Sequence, residues 1–221
     1  MHRRTLTLDR CLTVCRSPRG VASMLAVVLT LIFFGLADEA HERELFDIDH
    51  AVHDSVQGWR QPTLEAPMRA LSDMGSGKVL IPLNLGLAAL LWLRGYGQAL
   101  VVPASGAASV VVEGLAKWLV NRPRPKNVGY GFPSGHVLGA VVFFGLLIYI
   151  AWKVKLHPGW SCLVTVGGVL LVVGVAFSRI YLNAHWLTDV LGAAVAGVAL
   201  LIAILLYPAA RFCERAPARA C

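Results

Sequence analysis

Six long apolar runs constrain this chain more than any other feature, because about 20 consecutive apolar residues form a helix long enough to cross a lipid bilayer. The runs cover residues 21–37, 79–93, 99–120, 136–152, 159–177 and 185–207. The sequence therefore predicts an all-α integral membrane protein with six transmembrane helices.

The composition agrees with a membrane protein. Of the 221 residues, 57% are hydrophobic and 15% are charged, whereas soluble domains carry about 25% charged residues. The formal net charge is +7, but the basic residues are scattered between apolar runs and are not interleaved with aromatic residues. Nucleic-acid binding is therefore not expected. The expected partner is the lipid bilayer, and the sequence indicates no obligate protein partner. The five cysteines do not have the spacing of a zinc site, so no metal site is predicted.

The distribution of Lys and Arg predicts the orientation, since these residues concentrate in cytoplasmic loops. With six spans, four basic segments fall on one side, which we predict to be the cytoplasm: the N-terminal segment 1–20, Arg94, the pair Lys153 and Lys155, and the tail 208–221. The loop 38–78 falls on the other side and holds nine acidic residues against four basic ones. We expect a multi-pass protein of the inner (plasma) membrane, with both termini cytoplasmic and residues 21–207 as the transmembrane domain.

Two features of this arrangement stay open. The first apolar run is either an uncleaved anchor or a cleaved signal peptide, and the anchor is favoured because the run exceeds the usual 7–15 apolar residues of such peptides. In the outer loop 38–78, two sets of apolar residues recur at helical spacing and predict two short amphipathic helices, which lie on the outer membrane surface or pack against the bundle. The sets are Ile48, Val52 and Val56, then Leu64, Met68 and Leu71.

Two of the predicted outer loops are basic, against the usual preference for positive charge in the cytoplasm. The charges are Lys117, Arg122, Arg124 and Lys126 in one loop and Arg179 in the other. Lysine offers phosphate oxygens a point charge, and arginine offers them a planar fork of donors. An anionic ligand would explain why these charges lie outside.

Two histidines accompany these charges. Ser134 and Gly135 can turn a hydroxyl and backbone N–H groups toward an oxyanion, and a helix that begins near His136 would aim its free N–H groups the same way. His185 and Asp189 are four residues apart, so they share one face of a helix. A carboxylate bonded to one imidazole nitrogen makes the other nitrogen a better nucleophile. Such a histidine could attack phosphorus, while His136 protonates the leaving oxygen and later activates water.

Each fragment also has an ordinary structural explanation. A Pro-Ser-Gly run is a turn, a histidine at a helix end is an interfacial residue, and Asp189 interacts favourably with a helix dipole. Arg122 and Lys126 are either extra contacts for a diphosphate or solvated charges, and the second interpretation is favoured. Glu113 lies one helical turn before Lys117 within an apolar run, so we predict that it pairs with Lys117 or another inward-facing cation and has a functional role.

Taken together, the fragments resemble the signature of the type 2 phosphatidic acid phosphatase superfamily. That signature is Lys, six residues and Arg-Pro; then Pro-Ser-Gly-His; then Ser-Arg, five residues, His, three residues and Asp. It matches here at Lys117, Arg124 and Pro125, at residues 133–136, and at Ser178, Arg179, His185 and Asp189. The motifs cover about a third of the chain, and the six predicted helices extend the resemblance over most of it.

The resemblance implies a role for each residue of the signature. His185 would form a phosphohistidine, Asp189 would orient it, and His136 would be the general acid for the leaving group. The phosphate would be bound by Lys117, Arg124, Ser134, Gly135 and Arg179. No metal and no cofactor would be required.

The expected function is dephosphorylation of a membrane lipid phosphate or diphosphate at the outer face of the membrane. Undecaprenyl diphosphate is the first choice of substrate, followed by phosphatidylglycerol phosphate, phosphatidic acid and lipid A phosphates. One alternative is a lipid phosphotransferase or lipid A phosphatase with the same site. A second is a lipid-binding or transport protein without turnover, although binding alone does not need two histidines and a carboxylate. Soluble haloperoxidases share the signature and hold vanadate there, but six spans argue against that branch.

Overall fold

The structure, a computed structural model, describes residues 17–42, 47–126 and 129–207. Within these ranges the chain forms eight helices and no β-sheet, apart from one bridge between Pro123 and Tyr130. The helices are α1 (Pro18–His41), α2 (Asp47–Gly58), α3 (Pro62–Asp73), α4 (Gly77–Leu93), α5 (Val101–Val120), α6 (Gly135–Lys153), α7 (Pro158–Tyr181) and α8 (Leu187–Leu206). The prediction of an all-α protein is confirmed. Most of the predicted cytoplasmic segment 1–20 and the tail 208–221 lie outside the described residues.

Local sequence explains where several helices begin and end. At the start of α1, the Ser17 hydroxyl accepts a hydrogen bond from the backbone N–H of Gly20 at 3.0 Å, and a proline follows at the first helical position. The start of α7 repeats this pattern with a His157 ring nitrogen, which accepts the N–H of Gly159. Helix α5 ends at Asn121, which has a left-handed φ of 49°. These signals divide the apolar sequence into separate helices.

Within the part of the chain that the structure describes, four helices are long and apolar enough to cross a bilayer, namely α1, α6, α7 and α8. Helices α3 and α4, bent by 40° at a short break, together form a fifth candidate. Alone, α4 has only 17 residues, the lower limit for a span. Helix α5 has 20 residues, but the charged Glu113 and Lys117 reduce its hydropathy. The structure thus shows four or five candidate spans, where the sequence predicts six.

The core surrounds α6, the helix with the most extensively buried surface. Helices α5, α7 and α8 pack around it. Helix α1 lies against α8, and its Phe33 ring stacks on Phe132 at a centroid distance of 5.5 Å. The loop between α1 and α4 contains α2 and α3, which contact α7 and α8; Val56 of α2 is buried, and Met68 of α3 packs on the same core. The apolar faces of both short helices therefore pack against the bundle.

The loops that carry the motifs meet at one end of the bundle, where α5 ends and α6 and α8 begin. The backbone N–H of Ser134 donates to the backbone oxygen of Asp189 at 3.1 Å, which joins the start of α6 directly to the start of α8. The bend between α3 and α4 closes the same end, with Gly75 against the backbone of His136. Packing therefore brings together segments that are far apart in the sequence.

Candidate active site

The first turn of α6 presents polar groups that could bind an anion. Ser134 occupies the N-cap position, and its hydroxyl makes no hydrogen bond to that turn. Its Oγ is buried and has no partner within the part of the chain that the structure describes. The backbone N–H groups of Gly135 and His136 are free of helical partners, as in the first turn of any α-helix. A phosphate oxygen would satisfy the hydroxyl and these N–H groups together.

His185 and Asp189 are paired, as their four-residue spacing predicts. His185 is 1% exposed, and its Nδ1 lies 3.3 Å from Oδ2 of Asp189. With the proton on Nδ1, the imidazole donates to the carboxylate, and Nε2 keeps its lone pair. The same Oδ2 accepts the backbone N–H of Trp186 at 3.0 Å and so caps α8. Asp189 therefore has both the helix-end role and the orienting geometry, which the sequence left as alternatives.

The surroundings of His185 favour its neutral form. Burial has the largest effect and lowers the pKa of His185 below its ordinary value of 6.5. The hydrogen bond and charge of Asp189 raise the pKa, while the cations Arg179 and Arg124 lower it. A neutral imidazole with an unprotonated Nε2 is the form that acts as a nucleophile.

Three cations of the predicted site converge on the histidines. The guanidinium groups of Arg179 and Arg124 and the ammonium group of Lys117 lie close enough to His136 for their charges to act on its imidazole. Because Coulomb interactions weaken with distance, these groups share one site. The structure thus brings the three sequence fragments together.

Hydrogen bonds hold the two arginines while leaving donors unused. Nη1 of Arg179 donates to Oγ of Ser72, on α3, at 2.6 Å, whereas its Nε is buried without a partner among the described residues. Nε of Arg124 donates to the backbone oxygen of Tyr130 at 3.0 Å. The buried donor of Arg179 and the buried hydroxyl of Ser134 are two polar groups that a bound anion would satisfy.

Glu113 pairs with Lys117, as the sequence predicts. The Glu113 carboxylate also lies against Cα of Gly135, so closely that a Cβ at that position would overlap it. A side chain at position 135 would therefore displace the Glu113 carboxylate from its place beside this turn. Through these two contacts, Glu113 holds Lys117 beside the first turn of α6.

Arg122 is not a solvated charge, and the interpretation that the sequence favoured is wrong. Its side chain is 1% exposed, Nη1 donates to Oδ1 of Asp189 at 3.0 Å, and Nη2 donates to Oδ2 of Asp49 at 2.9 Å. The carboxylates of α2 and α8 compensate the buried guanidinium, which is why it lies inside the protein. Lys126, by contrast, is exposed, as a solvated charge would be.

Sequence reasoning missed Asp49 because it placed Ile48, rather than Asp49, on the buried face of α2. Ile48 was grouped with Val52 and Val56, yet Ile48 is 54% exposed and Asp49 is fully buried. Asp49 precedes Val52 by three residues and Val56 by seven, which is also helical spacing. An acidic residue in phase with the buried face was the available signal.

A groove of about 600 Å³ leads from the histidine end of the site along the bundle, between α4, α5 and α6. Its walls are mostly apolar, with Leu80 and Ile81 on one side and Val110 and Phe143 on others. Glu113, Gly135 and His136 line the same groove. A ligand could thus place an anionic group at the site and an apolar chain between the helices.

The chain belongs to the PAP2 superfamily, whose family model matches residues 98–213. It is 29% identical over 178 residues to phosphatidylglycerophosphatase B of Bacillus subtilis, covering 75% of this chain and 86% of that protein. It is 33% identical over 129 residues to "Putative undecaprenyl-diphosphatase YbjG" of Escherichia coli, covering 51% of this chain and 60% of that protein.

A solved structure supports the same family membership. The crystal structure of a transmembrane PAP2-type phosphatidylglycerolphosphate phosphatase from Bacillus subtilis superposes with a TM-score of 0.72 at 25% identity. The match covers 81% of this chain and 93% of that one. The predictions of a multi-pass membrane protein and of a lipid phosphatase are thereby confirmed at the level of the class of protein.

Proposed function

We propose that this protein removes a phosphate group from a membrane lipid phosphate or diphosphate without a metal ion, through a phosphohistidine on His185. The observation that carries the proposal is a buried His185 bonded to Asp189 beside an anion-binding helix end. Lys117, Arg124 and Arg179 provide the positive charge that a metal ion would otherwise place on the transferring group.

The reaction has two steps. In the first, Nε2 of His185 attacks phosphorus, the P–N bond forms as the P–O bond to the lipid breaks, and His136 gives its proton to the departing oxygen. In the second, water attacks the phosphorus, His136 accepts a proton from that water, and the P–N bond breaks. Inorganic phosphate leaves, and His185 returns to its neutral form.

The lipid chain occupies the apolar groove between α4, α5 and α6, and undecaprenyl diphosphate is our first choice of substrate. The groove supports this assignment because its lining includes His136 at one end and apolar side chains along its length. The names of the relatives point to phosphatidylglycerophosphate and undecaprenyl diphosphate as the substrates of those proteins. Both combine a terminal phosphate with a long apolar chain.

In our proposal, six helices cross the inner membrane, and the site faces the outside. Helices α4 and α5 join the four more apolar ones as spans, since the pairing of Glu113 with Lys117 reduces the cost of placing two charges at membrane depth. Lys153 ends α6 at the side opposite Ser134, where the cytoplasm attracts basic residues. Helix α1 is a retained anchor, which its packing on Phe132 supports.

Phosphate release from a panel of lipid phosphates in detergent micelles containing EDTA tests the chemistry. We expect full activity with EDTA, and loss of at least about 1,000-fold in His185→Ala, comparable to removal of other catalytic nucleophiles. Inactivation by EDTA would refute the metal-free mechanism, and an active His185→Ala would refute the nucleophile. Binding of lipid phosphates without turnover would favour a transport protein.

A second experiment addresses His136. His136→Ala should slow the reaction most for a phosphate monoester, whose lipid alkoxide is a poor leaving group, and least for a diphosphate, whose leaving group is a stable phosphate. Equal losses on the two substrates would show that His136 does not protonate the leaving oxygen.

A further inference from the structure

A buried ion-pair network links α2 to the catalytic end of α8. The guanidinium of Arg122 lies between two carboxylates, 2.9 Å from Oδ2 of Asp49 and 3.0 Å from Oδ1 of Asp189. Asp49 also accepts two hydrogen bonds from Thr188, one from the backbone N–H at 2.9 Å and one from the hydroxyl at 2.7 Å. Arg122 and both carboxylates are almost completely excluded from solvent.

The two oxygens of Asp189 have separate partners in this network. Oδ1 accepts from Nη1 of Arg122, whereas Oδ2 accepts from His185 and from the backbone of Trp186. Arginine can bind one carboxylate with two parallel hydrogen bonds, and that is its strongest mode of pairing. Here the second donor, Nη2, is bonded to Asp49. Asp49, together with the Thr188 hydroxyl that accepts from Nη1 at 2.6 Å, holds the guanidinium in the orientation in which Nη1 bonds to Oδ1 of Asp189.

The charges support the same conclusion. Asp49, Arg122 and Asp189 together carry one net negative charge, next to a histidine that becomes positively charged when it attacks phosphorus. Removal of the Asp49 charge would leave Arg122 and Asp189 neutral as a pair. The cations Arg179 and Arg124 would then act on the histidine without that compensation.

We propose that Asp49 is a positioning residue for catalysis, which holds Arg122 so that Asp189 keeps one oxygen and its negative charge for His185. This inference rests on the proposed phosphohistidine chemistry. It assigns part of the catalytic apparatus to α2, which carries none of the family motifs.

Orthovanadate and inorganic phosphate are suitable probes of this role. Both anions occupy the phosphate site, but orthovanadate also forms a bond with an imidazole nitrogen, so the ratio of their inhibition constants reports the state of His185. In Asp49→Asn we expect kcat and vanadate affinity to fall about 10-fold or more, as when other partners that orient an imidazole are removed. Phosphate affinity and KM should stay near wild-type values. Asp54→Asn, an exposed change on the same helix, is the matched control.

The double variant Asp49→Asn with Arg122→Gln separates positioning from folding. It restores one net negative charge and removes the fork that can bind both oxygens of Asp189, so we expect it to recover vanadate affinity relative to Asp49→Asn. The proposal would be overturned if the double variant folds but binds vanadate as weakly as Asp49→Asn does. It would also be overturned if Asp49→Asn has the wild-type ratio of vanadate and phosphate inhibition constants. Loss of folding in both variants would show that Asp49 is structural and would also overturn it. If His185→Ala is inactive but Asp49→Asn has wild-type kinetics and vanadate affinity, the role of Asp49 is rejected while the phosphohistidine mechanism stands.

Discussion

Replacement of Gly75 with alanine tests how closely the bend between α3 and α4 is held against the active site. A Cβ at this position would lie 2.6 Å from the backbone oxygen of His136 and 2.8 Å from Cγ1 of Val175. The first contact is with backbone, which cannot rotate away as the end of a flexible side chain does. Either the bend or the first turn of α6 must therefore move.

The size of the effect follows from two contacts. Insertion of an extra carbon into a packed interior costs about 1–3 kcal/mol, so we expect the free energy of unfolding of Gly75→Ala to fall by that amount. A shifted bend also displaces Ser72, which accepts the 2.6 Å hydrogen bond of Arg179. A hydrogen bond to a charged group contributes about 1.5–3 kcal/mol. Since about 1.4 kcal/mol is a factor of ten, kcat/KM should fall about 10-fold or more.

The assay compares thermal unfolding in detergent with phosphate release from lipid micelles for matched variants. Gly77→Ala is the control, because a Cβ there would meet only Cδ1 of Ile81, at an ordinary distance of 3.7 Å. Ser72→Ala removes the hydrogen bond without introducing a clash, so it should reduce activity and lower the free energy of unfolding by no more than the contribution of that bond, about 1.5–3 kcal/mol. If Gly75→Ala is as stable and active as Gly77→Ala, the bend does not press on α6 and the reasoning fails.

Three further predictions concern other parts of the site. Glu113→Gln should lower kcat/KM about 10-fold, because Lys117 loses a charged partner; unchanged kinetics and stability would make the pair incidental. Burial lowers the pKa of His185 in the folded protein, so as the pH falls the imidazole is protonated in the unfolded chain before it is protonated in the folded one. The free energy of unfolding should therefore fall as the pH drops below about 6.5, by up to about 1.4 kcal/mol per pH unit. Unfolding midpoints from pH 7.5 to 5 should decline less steeply in His185→Gln, and equal slopes would contradict the burial effect. Ala107→Phe, in the groove, should raise KM for a long-chain lipid phosphate and leave KM for a short soluble phosphate ester unchanged. Equal effects on the two substrates would show that the groove does not hold the lipid chain.

Much of the site could be predicted from the sequence because its chemistry depends on short-range spacing. His185 and Asp189 lie one helical turn apart, and their pairing follows from helix geometry alone. The pairing of Glu113 with Lys117 follows for the same reason. The joining of Ser134 to Asp189 is a long-range contact, but six apolar runs leave few ways to arrange the loops between them.

The environment of Arg122 could not be predicted in this way. In a basic loop with two prolines, Arg122 has the local sequence of a solvated charge, and its burial depends on Asp49, more than 70 residues away. The charges of Glu113 and Lys117 likewise reduce the hydropathy of α5 without preventing helix formation, so hydropathy alone does not assign this helix as a span. In both cases the sequence pattern shows each charge but not its partner.

The uncapped hydroxyl of Ser134 has a consequence for how binding and folding are coupled. Helices α1 and α7 each begin with a side chain that caps the first turn, whereas α6 begins with a buried hydroxyl that has no partner among the described residues. If a phosphate group completes this end, substrate binding and ordering of the first turn are a single thermodynamic event. Phosphate at 100 times its dissociation constant would then stabilise the protein by about 2.7 kcal/mol. Product release would in turn remove this stabilisation from the end of the helix.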